Sequence, residues 1–251
     1  MTDNLQACKG VLLCGGEGTR LRPLTLAVNK HLIRVGKKPM VEYPLARMIE
    51  AGIKDIHVVT GGENYPGVVK YLGSGAKWGV RITYSIQDKA GGIAEALGMA
   101  EAFVGGDICL VILGDNVFDM NLQESVTRFV SMSAPVRRGM FFGYVSDYPE
   151  RYGVVKFDGD KRPVDVIEKP SVPPSKTILA GIYLYTPDVF DLIQGLKPST
   201  RGELEVTDLN RHYIKAGLGE VVAMTGEWTD CGSFDTLARA EAMVKCVSGK
   251  R

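Results

Sequence analysis

Between Gly10 and Leu113, short β-branched runs alternate with longer stretches of helical period, and this pattern limits the fold more than any other feature. Gly10–Cys14, Asp55–Thr60, Val80–Ile86 and Cys109–Leu113 read as strands. Between them, Val41–Ala51 places apolar residues at Val41, Leu45, Met48 and Ile49, and Ile93–Phe103 does so at Leu97, Ala100 and Phe103. Repeated strand–helix units of this kind predict an α/β fold with a mainly parallel sheet flanked by helices.

After about residue 140 the texture changes. Met140–Val145, Gly153–Phe157 and Val164–Glu168 read as strands around an Asp158-Gly159-Asp160 turn, so this part is expected to be antiparallel. A further apolar run, Ile178–Tyr185, precedes helices expected at Asp188–Leu196 and Val206–Ala216. A strand at Val221–Met224 and a last helix from Ser233 to about Val247 follow. No linker or repeat interrupts the 251 residues, which read as one domain. Its nucleotide-binding half would span about 1–140, and its second half about 141–251.

Thirty lysines and arginines against 29 aspartates and glutamates leave no basic field for nucleic acid, so any basic patch must be local. The longest apolar runs, such as Ile108–Leu113, are far too short to cross a bilayer, and no signal-peptide pattern opens the chain. A cytoplasmic enzyme without membrane contact is the expectation. The five cysteines are widely spaced and never form C-x-x-C, which favours reduced thiols over disulfides or zinc. The three histidines include no H-E-x-x-H.

In "LLCGGEGTRLRPLT", Gly15, Gly16 and Gly18 directly follow the first strand. Small residues there let backbone N–H groups approach an anion, and phosphate is the natural guest. The turn is not a Walker A loop, because no Lys-Ser or Lys-Thr follows the last glycine. It also fails G-x-G-x-x-G, because Leu21 takes the third glycine position. Arg20, Arg22 and Lys30 supply enough cationic charge for a triphosphate or pyrophosphate. The same residues would equally suit a tight strand-to-helix turn with solvated arginines.

The glycine turn followed by "NKHL" resembles the sugar-1-phosphate nucleotidylyltransferases, in particular a compact thymidylyltransferase branch of that family. "IQDKAGGIAEAL", "LGDNVF", "ERYGVVKF", "IEKP", "AGIYLY", "RGELEVTDLN" and "WTDCGSFDTL" occur in the family's order and spacing, from Lys9 to about Ala242. The resemblance implies a Rossmann-like mixed sheet with a smaller antiparallel sugar-binding part. It also implies a magnesium ion and a reaction of dTTP with glucose 1-phosphate that gives dTDP-glucose and pyrophosphate. A homo-oligomer, dimer or tetramer, is expected as well.

By the same resemblance, Arg20 would hold the leaving pyrophosphate, and Lys30 and Lys169 would draw the α-phosphate and the sugar phosphate together. Gly15, Gly16, Gly18, Thr19, Arg20, Gln87, Gly92 and Asp115 would bind the nucleotide. Gly153, Glu168, Lys169 and Gly181 would bind the sugar phosphate, and Asp115 and Asp230 would hold the metal. Gln87 can pair both an acceptor and a donor with one base edge, which suits a pyrimidine imide but does not separate thymine from uracil. Tyr152, Tyr183 and Trp228 could be core aromatics, with core packing favoured for Tyr183. Arg201 and Glu203 suit either the site or a loop-to-helix structural role.

No covalent nucleophile is signalled, so direct displacement with sequential kinetics is expected. Cys14, Glu95 and Cys231 stand where the family usually has alanine, glutamine and threonine, and Glu95 would oppose phosphate unless it points away. The chain is also expected to lack the C-terminal extension that helps form a feedback site in longer members. A uridylyltransferase, or a silent nucleotide-sugar sensor on the same fold, remains an alternative reading. A dinucleotide oxidoreductase is remote.

Overall fold

The computed structural model describes residues 8–132 and 137–248. Its strands are β1 Cys8–Cys14, β2 Arg34–Val35, β3 Lys38–Pro39, β4 Asp55–Gly61, β5 Arg81–Gln87, β6 Ile108–Leu113 and β7 Asn116–Phe118. They continue with β8 Gly139–Val145, β9 Gly153–Phe157, β10 Pro163–Glu168, β11 Thr177–Tyr185, β12 Gly219–Ala223 and β13 Trp228–Asp230. The helices are α1 Leu24–Ala27, α2 Glu42–Glu50, α3 Tyr65–Leu72, α4 Ile93–Gly98, α5 Glu101–Val104, α6 Gln123–Met132, α7 Val189–Gln194, α8 Val206–Lys215 and α9 Phe234–Ser248.

Nine strands form one sheet, and its first-half part runs β5-β4-β1-β6 with every neighbour parallel. β1 shows why these strands read as apolar throughout. Leu12 and Cys14 point into a core shared with Leu45 and Met48 of α2, while Val11 and Leu13 point into the opposite core with Leu97 of α4 and Leu209 of α8. A strand covered on both faces has no solvent side on which to place polar residues.

The second half joins the same sheet through β11, which lies antiparallel to β6 along Ile182–Tyr185. Its other edge carries β8, and its first residues also meet β9 at Ile178. The pairing with β8 shifts register between Leu179 and Tyr183, so β11 bulges around Gly181. β10 closes the antiparallel part against β9. The strand expected at Val221–Met224 is present as β12, but it runs parallel to β8. The architecture is therefore a mixed, Rossmann-like sheet with a parallel core and a smaller antiparallel part.

One expected element is broken. Ile93–Phe103 forms two short helices, because the backbone after Gly98 tightens: Ala100 N–H donates to the Leu97 carbonyl and Phe103 N–H to the Ala100 carbonyl. Glycine is a poor helix former, and three-residue hydrogen bonds tighten a helix end. A small antiparallel pair, β7 with β13, sits beyond the end of β6 and was not expected as a pair. A third apolar cluster lies beneath it, built from Leu21, Met40, Val117, Cys231 and Ala240.

Candidate active site

A cavity of about 740 Å³ opens where the parallel strands end. This is the edge at which α/β sheets gather ligands. On one side it is lined by Gly16, Gly18, Thr19, Arg20 and Lys30, on the other by Gly153, Glu168, Lys169 and Gly181, with Asp115 and Asp230 between them.

The glycine turn is held from below. Leu21 is fully buried in the third cluster, and burial of such a side chain stabilises by roughly 1.5–3 kcal/mol. Gly18 adopts φ +63°, and a Cβ there would lie 2.9 Å from Thr25 Cγ2 and 3.1 Å from Lys30 Cβ. Thr25 Oγ1 donates to the Gly18 carbonyl at 2.9 Å, which fixes the curve of the loop. Arg22 is drawn away to Glu17 at 3.2 Å, whereas Arg20 makes no ion pair among the described residues. Its guanidinium lies close to Gly232 and Asp230 at the cavity wall.

Asp115 follows β6 through Gly114, and Asp230 ends β13 in register with Asn116. The backbone N–H of Cys231 donates to the Asp115 carbonyl, which ties the two segments together. Lys30 Nζ donates to Asp115 Oδ2 at 2.5 Å, and both side chains are largely buried. Burial would raise the Asp115 carboxyl, but Lys30 and neighbouring donors hold it below its usual value. Asp230 is raised, first by burial and then by the charge on Asp115, although the Tyr152 hydroxyl donates to its Oδ1 at 3.1 Å. Tyr152 thus reaches a site carboxylate as well as packing edge-on against Trp228.

His31 is buried beside Lys30, and burial, reinforced by the Lys30 charge, lowers its pKa to about 3. Asn29 Oδ1 accepts from the His31 backbone N–H, so its contact with His31 Nδ1 at 2.9 Å makes that nitrogen the protonated one. The ring is a neutral spacer. The Cys14 thiol is fully buried and pushed up by that burial, which keeps it protonated beneath the loop.

On the far side, Glu168 lies opposite Gly153 in the β9–β10 ladder. Its Oε2 accepts from Thr207 Oγ1 at 2.5 Å, and its Oε1 meets Arg201 Nη2 at 3.2 Å and Lys169 Nζ at 3.0 Å. Arg201 also reaches both oxygens of buried Glu205, at 2.9 and 2.8 Å. It therefore belongs to the site and anchors the loop before α8 at the same time. Lys169 sits at φ +42°, a conformation uncommon for a non-glycine residue. Gly181 makes the β11 bulge possible: at φ +70° its Cβ would lie 2.6 Å from Asn116 Nδ2. The bulge turns the Ala180 carbonyl toward Asn116 Nδ2 and Trp228 Nε1, both of which donate to it.

Gly15, Gln87 and Gly92 lie just outside the cavity wall, beside Ala90 and Ile93, which do line it. Gln87 is buried at the end of β5, and its Nε2 donates to Glu95 Oε2. Tyr183 lines the cavity but is 3% exposed and packed against Phe141, so core packing accounts for most of it. Asn116, Thr207 and Glu205 were not singled out in the sequence. Only their neighbours in "LGDN" and "RGELEVTDLN" drew attention, and their contacts depend on tertiary packing.

Among the described residues, no group of three or more His, Cys, Asp or Glu side chains could enclose a metal. The half-buried carboxylates of Asp115 and Asp230, near enough for the charge on Asp115 to raise Asp230, nevertheless fit a hard cation that completes its shell with phosphate and water. The free thiols at Cys8, Cys14, Cys109, Cys231 and Cys246 are unpaired.

The nucleotidyl transferase family pattern matches residues 9–245. A glucose-1-phosphate thymidylyltransferase from Mycobacterium tuberculosis is 39% identical over 246 residues, covering 97% of this chain and 84% of that protein. One from Neisseria meningitidis is 38% identical over 242 residues, covering 95% of this chain and 83% of that protein. Among solved structures, a Bacillus anthracis protein provisionally named a glucose-1-phosphate thymidylyltransferase, in complex with sucrose, superposes with a TM-score of 0.89 at 44% identity over 95% of each chain. A UDP-glucose pyrophosphorylase complexed with UDP-glucose shares the fold, with a TM-score of 0.83 at 24% identity over 97% of this chain and 99% of that one. With that match running along nearly its whole length, the chain belongs to the sugar-1-phosphate nucleotidylyltransferase family.

Proposed function

We propose that the protein transfers a thymidylyl group from dTTP to glucose 1-phosphate, releasing pyrophosphate and dTDP-glucose. One observation carries this reading: a glycine loop with Arg20 beside it and a lysine-bearing acid–base wall open into the same cavity, separated by two carboxylates. The choice of thymidine and glucose rests on the names of the relatives at 38% and 39% identity.

The glycine loop would cradle the triphosphate through its backbone N–H groups, and Arg20 would retain the pyrophosphate end. Lys30 would release Asp115 and turn to the α-phosphate, while Lys169 and Arg201 would draw in the sugar phosphate. Glu168 would accept from sugar hydroxyls. Bringing two anions together needs positive charge in a site with little water, where each fixed charge counts for more than in bulk. Asp115 and Asp230 would hold Mg²⁺, which supplies charge neutralisation on the phosphate oxygens. The sugar-phosphate oxygen attacks the α-phosphorus, the bond to the β-phosphate oxygen breaks, and pyrophosphate leaves; no enzyme bond forms.

The reverse direction tests this reading. Given dTDP-glucose, pyrophosphate and Mg²⁺, the protein should form dTTP and glucose 1-phosphate, followed by phosphorus NMR. An unchanged spectrum with active-site concentrations of protein would overturn the proposal.

A further inference from the structure

Glu95 puts a carboxylate in the first turn of α4, and its charge would oppose a nucleotide if it faced the phosphates. It does not face them: it lies outside the residues lining the cavity and accepts from Gln87 Nε2 at 2.5 Å. The same Nε2 also donates to the Gly92 carbonyl at 3.4 Å. Both acceptors lie on one side of the Gln87 amide. A carboxylate and a carbonyl can only accept, so turning the amide over would set its oxygen against two other oxygens. The amide is therefore held in one orientation. Its Oε1 faces Gly15, 3.1 Å from where a Cβ on that residue would stand, and has no donor among the described residues.

We propose that Glu95 is a positioning residue that locks the Gln87 amide with its oxygen toward the base, so that the enzyme selects a pyrimidine carrying a ring N–H donor. This inference rests on the reading of Gln87 as the base-contacting residue. Uracil and thymine present N3–H, which the Oε1 accepts. Cytosine presents an unprotonated N3, which would meet that oxygen lone pair to lone pair. A glutamine at position 95 could offer either an oxygen or an NH₂ group, leaving only the longer contact with the Gly92 carbonyl, 3.4 Å, to orient Gln87. Glutamate can only accept, so it sharpens selection without adding a contact to the substrate.

The loop is shaped for this arrangement. A Cβ on Gly91 would fall 1.9 Å from Glu95 Oε2, so the carboxylate would have to move from its present place. Leu204 fixes the loop from the other side: its N–H donates to the Gly91 carbonyl, and its carbonyl accepts from Ala94 N–H at 3.1 Å. Gly91→Ala would thus displace the carboxylate with its charge intact.

The test compares kcat/KM for dUTP and dCTP, which share sugar and phosphates and differ only at the N3 and C4 edge, with glucose 1-phosphate and Mg²⁺. Glu95→Gln should lower the dUTP-over-dCTP ratio about tenfold or more, the scale of one buried mispaired hydrogen bond. Gly91→Ala should lower it in the same direction. The wild-type protein should also use N3-methyl-dUTP at least about tenfold less well than dUTP, a measurement that needs no variant. An even loss of activity with both nucleotides in Glu95→Gln, with the ratio unmoved, would mean a merely structural role and overturn the lock. So would equal use of N3-methyl-dUTP and dUTP. Gln87→Ala separates the two levels: if it collapses the ratio while Glu95→Gln does not, only the lock fails. If it too leaves the ratio unchanged, the base-reading role of Gln87 fails with it.

Discussion

Asp230 shows what a single residue gives up for the site. Its carboxyl is raised by burial and by Asp115, so in the metal-free protein at neutral pH its charge works against folding. Asp230→Asn keeps the oxygen that accepts from Tyr152 and removes the repulsion. This variant should melt a few degrees higher than the wild type in the presence of EDTA, since about 1 kcal/mol moves the midpoint by roughly 2–4 °C in a chain of this size. It should also lose the response of activity to added Mg²⁺. Scanning calorimetry with and without metal reads the first part, and a lower midpoint for the variant would contradict it. Position among residues made Asp230 visible in "WTDCG", but nothing in that string announced Tyr152 as its partner, 78 residues away. Contacts of that range come from packing, which residue types alone do not specify.

At the scale of elements, β10 and α8 are joined by Asp165, which takes two hydrogen bonds from Arg211, at 2.7 and 3.1 Å, with Lys215 3.7 Å away. Burial would raise Asp165, but the Arg211 hydrogen bond and the nearby charges outweigh it and hold the carboxyl below 3.8. The folded value lies below the unfolded one, so this contribution is fully present above about pH 4 and is lost as pH falls through the folded value. Arg211→Ala should cost about 0.5–1 kcal/mol at pH 7, less at high salt, because the arginine is partly exposed. Urea titrations at pH 7 and pH 3 check this: the gap between wild type and variant should narrow in acid. A gap that is constant with pH would show that packing alone joins the two elements.

Strong periodicity made most elements legible before the structure. β1, β6 and β11 are apolar on both faces, and α2 and α8 carry amphipathic stripes. What escaped includes α3 and the ten-residue α6, which buries Val126 and Phe129, as well as shorter elements. β7 and β13 have three residues each, and the break after Gly98 depends on three-residue hydrogen bonds that apolar spacing does not encode.

Across the whole molecule, the sheet brings two groups of cavity-lining residues to one edge. The parallel part ends in the glycine loop and in Asp115, and the antiparallel part ends in Glu168 and Lys169. Leu204 straps the base-side loop at Gly91 and Ala94 to the segment that carries Arg201 and Glu205. No described helix is long and apolar enough to cross a membrane. Residues on both sides of the cavity were legible in the sequence through the family's motifs. Gln87 and Gly92 were legible too, yet Ala90 and Ile93 line the cavity and they do not, a difference that motif order does not convey.

On the proposed function, this one cavity joins a pyrimidine nucleoside triphosphate to a sugar phosphate. Pyrophosphate release measured over a panel of nucleoside triphosphates and sugar 1-phosphates with Mg²⁺ tests it most directly. The highest kcat/KM is expected for dTTP with glucose 1-phosphate, UTP second, with no release when the sugar phosphate is omitted. A purine triphosphate giving the highest value, or no release with any pair, would contradict it.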